Sequence, residues 1–312
     1  MRLGYLSLTN FCPNKCVACP CVHRKYEIQD LSLEHVHESI ETAEQEGKLD
    51  RLILSGGEPT FNADFLKIMG FLSSRSFPVS ITTTSQRFSD ISFLKTLLSI
   101  FPKERLTITS TIHSFNPEIH DSMTGVIGSF QAWFSGMKNV EASGVKLTVK
   151  NLITKVTYKS LPEFFMHYYS EFGKTTSLYI CGLDYSGMAK KHIADVFISL
   201  SEMRPFLQKA LLYSESMTEK EHFQRSVAVL DIPYCALDSR FRKYIPAKEE
   251  KSQILALYNA PDSPEPKPRT QLQKKKGIRN QRCETCRVKD ICIGTWESAA
   301  EVYNSDEFVP IL

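Results

Sequence analysis

No run of about 18 apolar residues occurs in the 312-residue sequence, so a membrane-spanning helix is not expected. The opening MRLGYLSLTNFCPNKC lacks the apolar stretch and small-residue cleavage site of a secretory signal, which points to a cytoplasmic location. An excess of charge of one sign is missing as well. The 38 basic and 35 acidic residues leave only +3, and a nucleic-acid partner is not expected. Glycine (14) and proline (15) are too sparse for a collagenous or low-complexity chain, and 42% hydrophobic residues exclude a mostly disordered one. What remains is a folded chain long enough for one large domain, or one large and one small.

Cysteine is present in quantity and it is clustered. Of nine, Cys12, Cys16, Cys19 and Cys21 lie close together, as do Cys283, Cys286 and Cys292, while Cys181 and Cys235 stand apart. A reducing compartment disfavours a disulfide framework. Short gaps between cysteines then favour metal or iron–sulfur ligation. Cys181, within the apolar LYICG, reads as a buried small hydrophobe.

Strand-like and helical runs alternate along the first two thirds. Strands are expected at Tyr5–Thr9, Arg51–Leu54, Val79–Thr83, Leu106–Ile112, Val145–Ile153 and Ser177–Gly182. Helices are expected at Leu33–Glu46 behind a Ser32 cap, after an Asn62 cap, and at Ile91–Phe101, Phe130–Ala142, Leu161–Phe172 and Ser201–Tyr213. Six β/α units imply a parallel sheet and are too few for a closed eight-stranded barrel. A partial barrel or a doubly wound sheet is left. A strand at Ser226–Ile232 leads to Cys235, and residues 246–282, rich in Pro, Lys and Gln, read as an exposed loop or linker.

Cys12-x3-Cys16-x2-Cys19 directly follows the first strand. Three thiolates on one tight loop suit one face of a [4Fe–4S] cluster, leaving one iron open for substrate or cofactor. Zinc more often takes two-plus-two ligands at other spacings. Cys21, one residue beyond Cys19 and behind Pro20, is badly placed to compete. The second strand runs into Gly56-Gly57-Glu58-Pro59-Thr60. Its glycines permit close backbone approach where open parallel sheets bind ligands, and Glu58 offers an acceptor suited to an ammonium group. Thr82–Ser85 and Thr109–Thr111 add hydroxyls at strand ends, although Thr is also an ordinary strand former. His35 and His37 read as surface residues.

CPNKCVAC after the first strand, GGEPT after the second and six β/α units together resemble the radical SAM superfamily. The resemblance implies an α/β fold, a partial (β/α)6 TIM-like barrel over residues 1–214. It implies a [4Fe–4S] cluster held by Cys12, Cys16 and Cys19, with S-adenosylmethionine (SAM) on the open iron. Gly56, Gly57, Glu58 and Pro59 would meet the methionine end, Glu58 taking the amino group. Thr84 and Thr111 are the expected hydroxyl contacts to ribose or carboxylate. Reductive cleavage of SAM would give a 5′-deoxyadenosyl radical that abstracts hydrogen. Flavodoxin or ferredoxin would donate the electron. Ala18 departs from the usual aromatic residue before the third cysteine. The stretch 113–130 resembles a loop of the peptide- and protein-modifying branch through His120-Asp121 and Gly128-Ser129-Phe130, with a helix-capping role expected.

Cys235, Cys283, Cys286 and Cys292 resemble the shortened auxiliary-cluster domain called twitch, a small α+β unit over residues 215–312. They would bind a second [4Fe–4S] cluster, while a structural zinc site has the same ligand count. Too few cysteines are present for the two auxiliary clusters of the longer SPASM form. A peptide substrate is favoured by the 113–130 loop and by the basic stretch Lys267–Arg282, and a small-molecule substrate is the alternative. A first strand beginning near residue 5 leaves no room for a preceding leader-binding domain. A non-catalytic iron–sulfur scaffold would not need the Gly-Gly-Glu turn. Tyr185 and Cys181 are expected as wall and core near the barrel mouth.

Overall fold

A computed structural model of the chain describes residues 2–21, 29–247, 253–258, 276–278 and 280–312, the two short internal pieces as backbone only. Strands β1 (Arg2–Thr9), β2 (Arg51–Gly56), β3 (Val79–Thr83), β4 (Leu106–Thr111), β5 (Lys146–Leu152) and β6 (Ser177–Cys181) alternate with helices α1 (Leu33–Gln45), α2 (Phe65–Ser73), α3 (Ile91–Ile100), α4 (Pro117–Thr124), α5 (Ser129–Ala142) and α6 (Leu161–Glu171). Two short helices, α7 (Gly187–Lys191) and α8 (Ile193–Val196), precede the long α9 (Leu200–Glu221). Then come β7 (Val227–Leu230), β8 (Gln253–Tyr258), β9 (Lys276–Ile278), β10 (Thr295–Trp296) and α10 (Glu297–Val302).

The main sheet has the order β7-β6-β5-β4-β3-β2-β1-β8. Every neighbouring pair in it is parallel. From β1 to β7 each strand is added beside its predecessor with no reversal. A doubly wound sheet reverses at a switch point, so this is the partial-barrel progression. Two differences from the sequence reading follow. Residues 253–258, expected within a loop or linker, form β8 against β1. The sheet also continues past residue 214, because β7 pairs with β6. Much of the basic stretch, including Lys267 and Arg269, lies outside the described residues.

The pleat gives the sheet two unlike faces. Leu6, Leu54, Ile81 and Ile108 are fully buried and in register across β1–β4, the face that packs under the helices. Those helices answer with apolar stripes, such as Val36, Ile40 and Ala43 of α1. On the alternate positions stand Ser80, Thr82, Thr107, Thr109 and Thr111, all half-buried. A barrel interior lined with hydroxyls is unfinished as an apolar core and suits a polar ligand.

Local signals explain most helix starts. Ser32 caps α1, accepting from the His35 amide. Asn62 does not cap α2 as expected. Asp64 holds the cap position, while Asn62 Oδ1 accepts from the Asp64 amide at 2.8 Å just ahead of the helix, and its Nδ2 donates to the Leu8 and Leu31 carbonyls at 2.7 and 3.0 Å, tying β1 to the start of α1. Helix α9 starts one residue before expectation, on a Ser199/Glu202 capping box. It runs eight residues further than expected, to a left-handed His222. The segment before α5, expected as loop, contains α4, capped by Asn116 and opened by Pro117.

Candidate functional site

The loop after β1 carries Cys12, Cys16 and Cys19, and four other segments grip it, three of them by its backbone. The Gly57 amide donates to Thr9 O and the Glu58 amide to Phe11 O, each at 2.6 Å. The Lys15 and Val17 amides donate to Thr124 O and Met123 O at the end of α4 (2.7 and 3.0 Å). Gln86 Nε2 reaches Asn14 Oδ1 at 2.7 Å. The Met188 and Ala189 amides of α7 bond Cys19 O at 3.0 and 3.1 Å. Cys21 is exposed. Its amide bonds Cys19 Sγ at 3.4 Å. Ala18 is buried.

The glycine pair has a second reason to exist, besides ligand approach. A Cβ on Gly57 would stand 2.1 Å from Phe11 O, and one on Gly56, at φ +121°, 2.4 Å from Thr9 O. The turn after β2 and the cysteine loop therefore touch backbone to backbone.

Glu58 is fully buried. Its Oε1 accepts from the Thr60 amide (3.2 Å), Thr60 Oγ1 (2.6 Å) and Thr83 Oγ1 (2.6 Å). Its Oε2 accepts from the Thr84 amide. This network was not legible in the motif. It makes Glu58 the pin that joins the turn after β2 to the end of β3, and leaves Oε2 as the acceptor with capacity for a ligand. Pro59 starts the single helical turn 59–61 that carries Thr60. Beyond the pin, Ser85 is held left-handed (φ 60°).

Thr84 follows β3 and Thr111 ends β4. The pairings Thr83–Ser110 and Thr111–Lys150 put them at one level of the hydroxyl face. Thr84 Oγ1, His113 Nδ1 and Asn151 Oδ1 are buried without a hydrogen-bond partner. All three sit at the carboxyl ends of adjacent strands. Orphaned buried polar atoms are costly, and a polar ligand in this mouth would relieve that cost.

Burial pushes the Cys12 thiol up to about 12, with the Glu58 charge adding to it, and burial pushes Cys16 up to about 11. Thiolates there need a compensating cation, which iron supplies on binding. Among the described residues, no three or more His, Cys, Asp or Glu are arranged to hold a single metal ion.

The 113–130 segment has the capping role expected of it. Asp121 accepts from the Gly128 amide, Ser129 Oγ and the Phe130 amide (2.6, 2.8 and 2.8 Å), fixing the start of α5. What the sequence did not reveal is that α4 ends against the cysteine loop. Cys181 and Tyr185 are core. His35 and His37 are exposed.

A second cavity gathers Cys235, Cys283, Cys286 and Cys292, with Tyr234 and Phe308 among its walls. Burial, and then the charges of Cys292 and Cys283, push the Cys235 thiol up to about 11. The four cysteines grouped by spacing thus face one space.

The family model of the radical SAM superfamily matches residues 6–165, just over half of the chain and the whole of the cysteine loop and glycine turn. The chain belongs to the radical SAM superfamily. Radical SAM proteins work with a [4Fe–4S] cluster and SAM, and the orphaned hydroxyl, bare glycine turn and three-thiol loop described above fit both. A probable GTP 3′,8-cyclase of Thermococcus kodakarensis is 29% identical over 125 residues, covering 39% of this chain and 38% of that protein. The Fe-coproporphyrin III synthase of Methanosarcina barkeri is 24% identical over 215 residues, covering 69% and 52%. The chain thus spans about half or less of these curated relatives. Among solved structures, Streptococcus suis SuiB bound to SAM shares the fold with a TM-score of 0.66 at 14% identity, covering 99% of this chain and 76% of that one. SuiB bound to precursor peptide SuiA gives 0.65 at 14% identity, covering 99% and 74%. The anSMEcpe enzyme with AdoMet and Cp18Cys peptide gives 0.58 at 16% identity, covering 74% and 64%. No helix among the described residues is long and apolar enough to cross a membrane.

Proposed function

We propose that this chain cleaves SAM reductively at a [4Fe–4S] cluster held by Cys12, Cys16 and Cys19, and that it modifies a ribosomally synthesised peptide by carbon–hydrogen activation. When bound, cluster and SAM supply methionine and a 5′-deoxyadenosyl radical able to take hydrogen from an unactivated carbon. The chain's own residues bind, orient and exclude water. Gly56, Gly57 and Pro59 present bare, fixed backbone to the methionine end. Glu58 Oε2 is the acceptor for its ammonium. Thr84 and Thr111 offer hydroxyls to ribose or carboxylate. Flavodoxin or ferredoxin is the class of electron donor that fits. The stretches after β7 that do not join the main sheet contribute the auxiliary unit, with a second [4Fe–4S] cluster on Cys235, Cys283, Cys286 and Cys292. A cytoplasmic, reducing setting suits both clusters.

The observation that carries the peptide reading is the gathering of the clustered Cys283, Cys286 and Cys292 with the distant Cys235 around one cavity beside the barrel. Such a site can accept an electron from a substrate radical or hold a substrate thiolate. Support comes from the likeness in fold to SuiB and anSMEcpe, both solved with peptides. The curated relatives, named for small-molecule products, favour a second reading in which the substrate is a small molecule. The test is anaerobic incubation of reconstituted protein, SAM and reductant with short peptides encoded beside its gene. A mass change in one peptide, matched by 5′-deoxyadenosine release, is expected. Unchanged peptides, with SAM cleavage stimulated instead by a metabolite fraction, would move the assignment to a small molecule.

A further inference from the structure

The segment 303–312 carries no cysteine and no motif, yet it is built into the wall of the second cysteine site. Tyr303 and Phe308 are buried. Tyr303 packs on Tyr185, Phe197 and Phe308 with ring centroids 6.1, 5.9 and 6.1 Å apart. The Glu307 carboxylate accepts from the Ser201 amide and hydroxyl, at 2.8 and 2.9 Å, at the start of α9. That same helix holds the Cys235 turn, since Arg204 donates to Ala236 O and Cys235 O at 2.9 and 3.1 Å. One helix thus fixes both a cysteine and the segment that faces it.

From this anchor the backbone reaches the sulfurs. The Ile311 amide donates to Cys286 Sγ at 3.4 Å. The Ile311 carbonyl accepts from the Arg287 amide, one residue past Cys286, at 2.8 Å. Val309 and Pro310 line the cavity itself. By contrast, the Gly294 amide on Cys292 Sγ, at 3.4 Å, is a local contact within the cysteine hook itself. The Ile311 amide, among the described residues, reaches a sulfur of this site from outside the hook.

We propose that residues 309–311 are a positioning element for the second cysteine site, holding Cys286 as a thiolate ligand through the Ile311 amide and favouring the reduced cluster. The inference rests on the reading of Cys235, Cys283, Cys286 and Cys292 as iron–sulfur ligands. An amide donates far better to a thiolate than to a thiol, so the contact tightens when the site is loaded. Reduction adds negative charge, and hydrogen bonds to cluster sulfurs raise the potential.

The test is Ile311→Pro, which removes the N–H and keeps the carbonyl that Arg287 needs, beside Ile311→Ala, which keeps the N–H and trims the apolar side chain. Both are made in the full chain, reconstituted anaerobically and assayed for iron, sulfide and zinc. Potentials are read by electron paramagnetic resonance titration after Cys12, Cys16 and Cys19 are all replaced by Ala, so that one cluster reports. Ile311→Pro is expected to make reduction about tenfold less favourable, about 59 mV lower for one electron, with Ile311→Ala unchanged. Iron lost from the second site in Ile311→Pro and kept in Ile311→Ala would also support the role. A loaded Ile311→Pro protein at the unaltered potential would overturn it, as would equal loss of iron in both variants. A second site holding zinc without the substitutions would refute the cluster reading itself, a result distinct from a loaded cluster whose potential does not move.

Discussion

Replacing Glu58 separates two roles that the sequence merges into one. If the carboxylate serves only the SAM ammonium, its loss weakens SAM binding and leaves the ligand-free protein as stable as before. The structure predicts otherwise. Glu58 satisfies two amides, Thr60 and Thr84, and two hydroxyls, Thr60 and Thr83. In Glu58→Ala the hydroxyls can rotate toward other acceptors, but the amides cannot. Each unsatisfied buried donor costs about 1–3 kcal/mol, so the expected loss is about 2–6 kcal/mol before any water enters the space. In Glu58→Gln the amide oxygen can serve one side only. Either the Thr84 amide meets an NH2 group or the Thr60 amide does, for a cost of about 1–3 kcal/mol. The assay is urea unfolding of the iron-free protein under anaerobic conditions, without SAM, followed by SAM affinity of each variant after reconstitution. The reasoning predicts a graded fall in unfolding midpoint, Ala below Gln below Glu. Wild-type stability in Glu58→Ala, with SAM affinity alone reduced, would refute it.

Cys12→Ala, Cys16→Ala or Cys19→Ala should each abolish 5′-deoxyadenosine release from SAM under dithionite, whereas exposed Cys21→Ala should retain it, as read by chromatography. Gly57→Ala should lower iron loading at the first site several-fold, because its Cβ would meet Phe11 O at 2.1 Å and push the cysteine loop away. Iron content equal to wild type would contradict that contact. Burial depresses His113 to about 3 and His120 to about 4. Both therefore stay neutral in the fold while the unfolded chain takes up protons below its ordinary value of about 6.5. Stability should then fall as pH drops from about 6.5, by about 1.4 kcal/mol per pH unit for each histidine. His113→Asn should remove one such share, measured as unfolding midpoints at pH 7 and 5.5, and equal slopes would count against a buried neutral His113.

The strands were legible because one face of each is apolar while the other carries hydroxyls, as in Val79-Ser80-Ile81-Thr82. The first cysteine site was legible because its three cysteines are close in sequence and fall between two recognisable strands. Asn62 was read only in part, because an oxygen that serves the helix entry and an amide that braces distant strands look alike in sequence. The distinction lies in Leu8 O and Leu31 O, and neither is adjacent to Asn62. Strand β8 was missed because its Gln-Ile-Leu-Ala-Leu-Tyr is embedded in Pro- and Lys-rich sequence, and composition averaged over a window hides six residues.

Both cysteine sites divide their labour in the same way, and that division explains what a sequence shows of them. Side chains supply the proposed ligands, so residue type and spacing announce Cys12-x3-Cys16-x2-Cys19 and Cys283-x2-Cys286-x5-Cys292. Backbone groups supply the support: Met123 O and Thr124 O under the first loop, and the Ile311 amide on Cys286. Nearly every residue owns an amide and a carbonyl, so no residue type marks a supporting position. Glycine is the exception, because it reports where backbone must meet backbone, as Gly57 does against Phe11. The candidate ligands were therefore open to reading in one dimension. The elements that hold those ligands at a working geometry became visible only when distant segments, α4 for one site and 309–311 for the other, were brought against them.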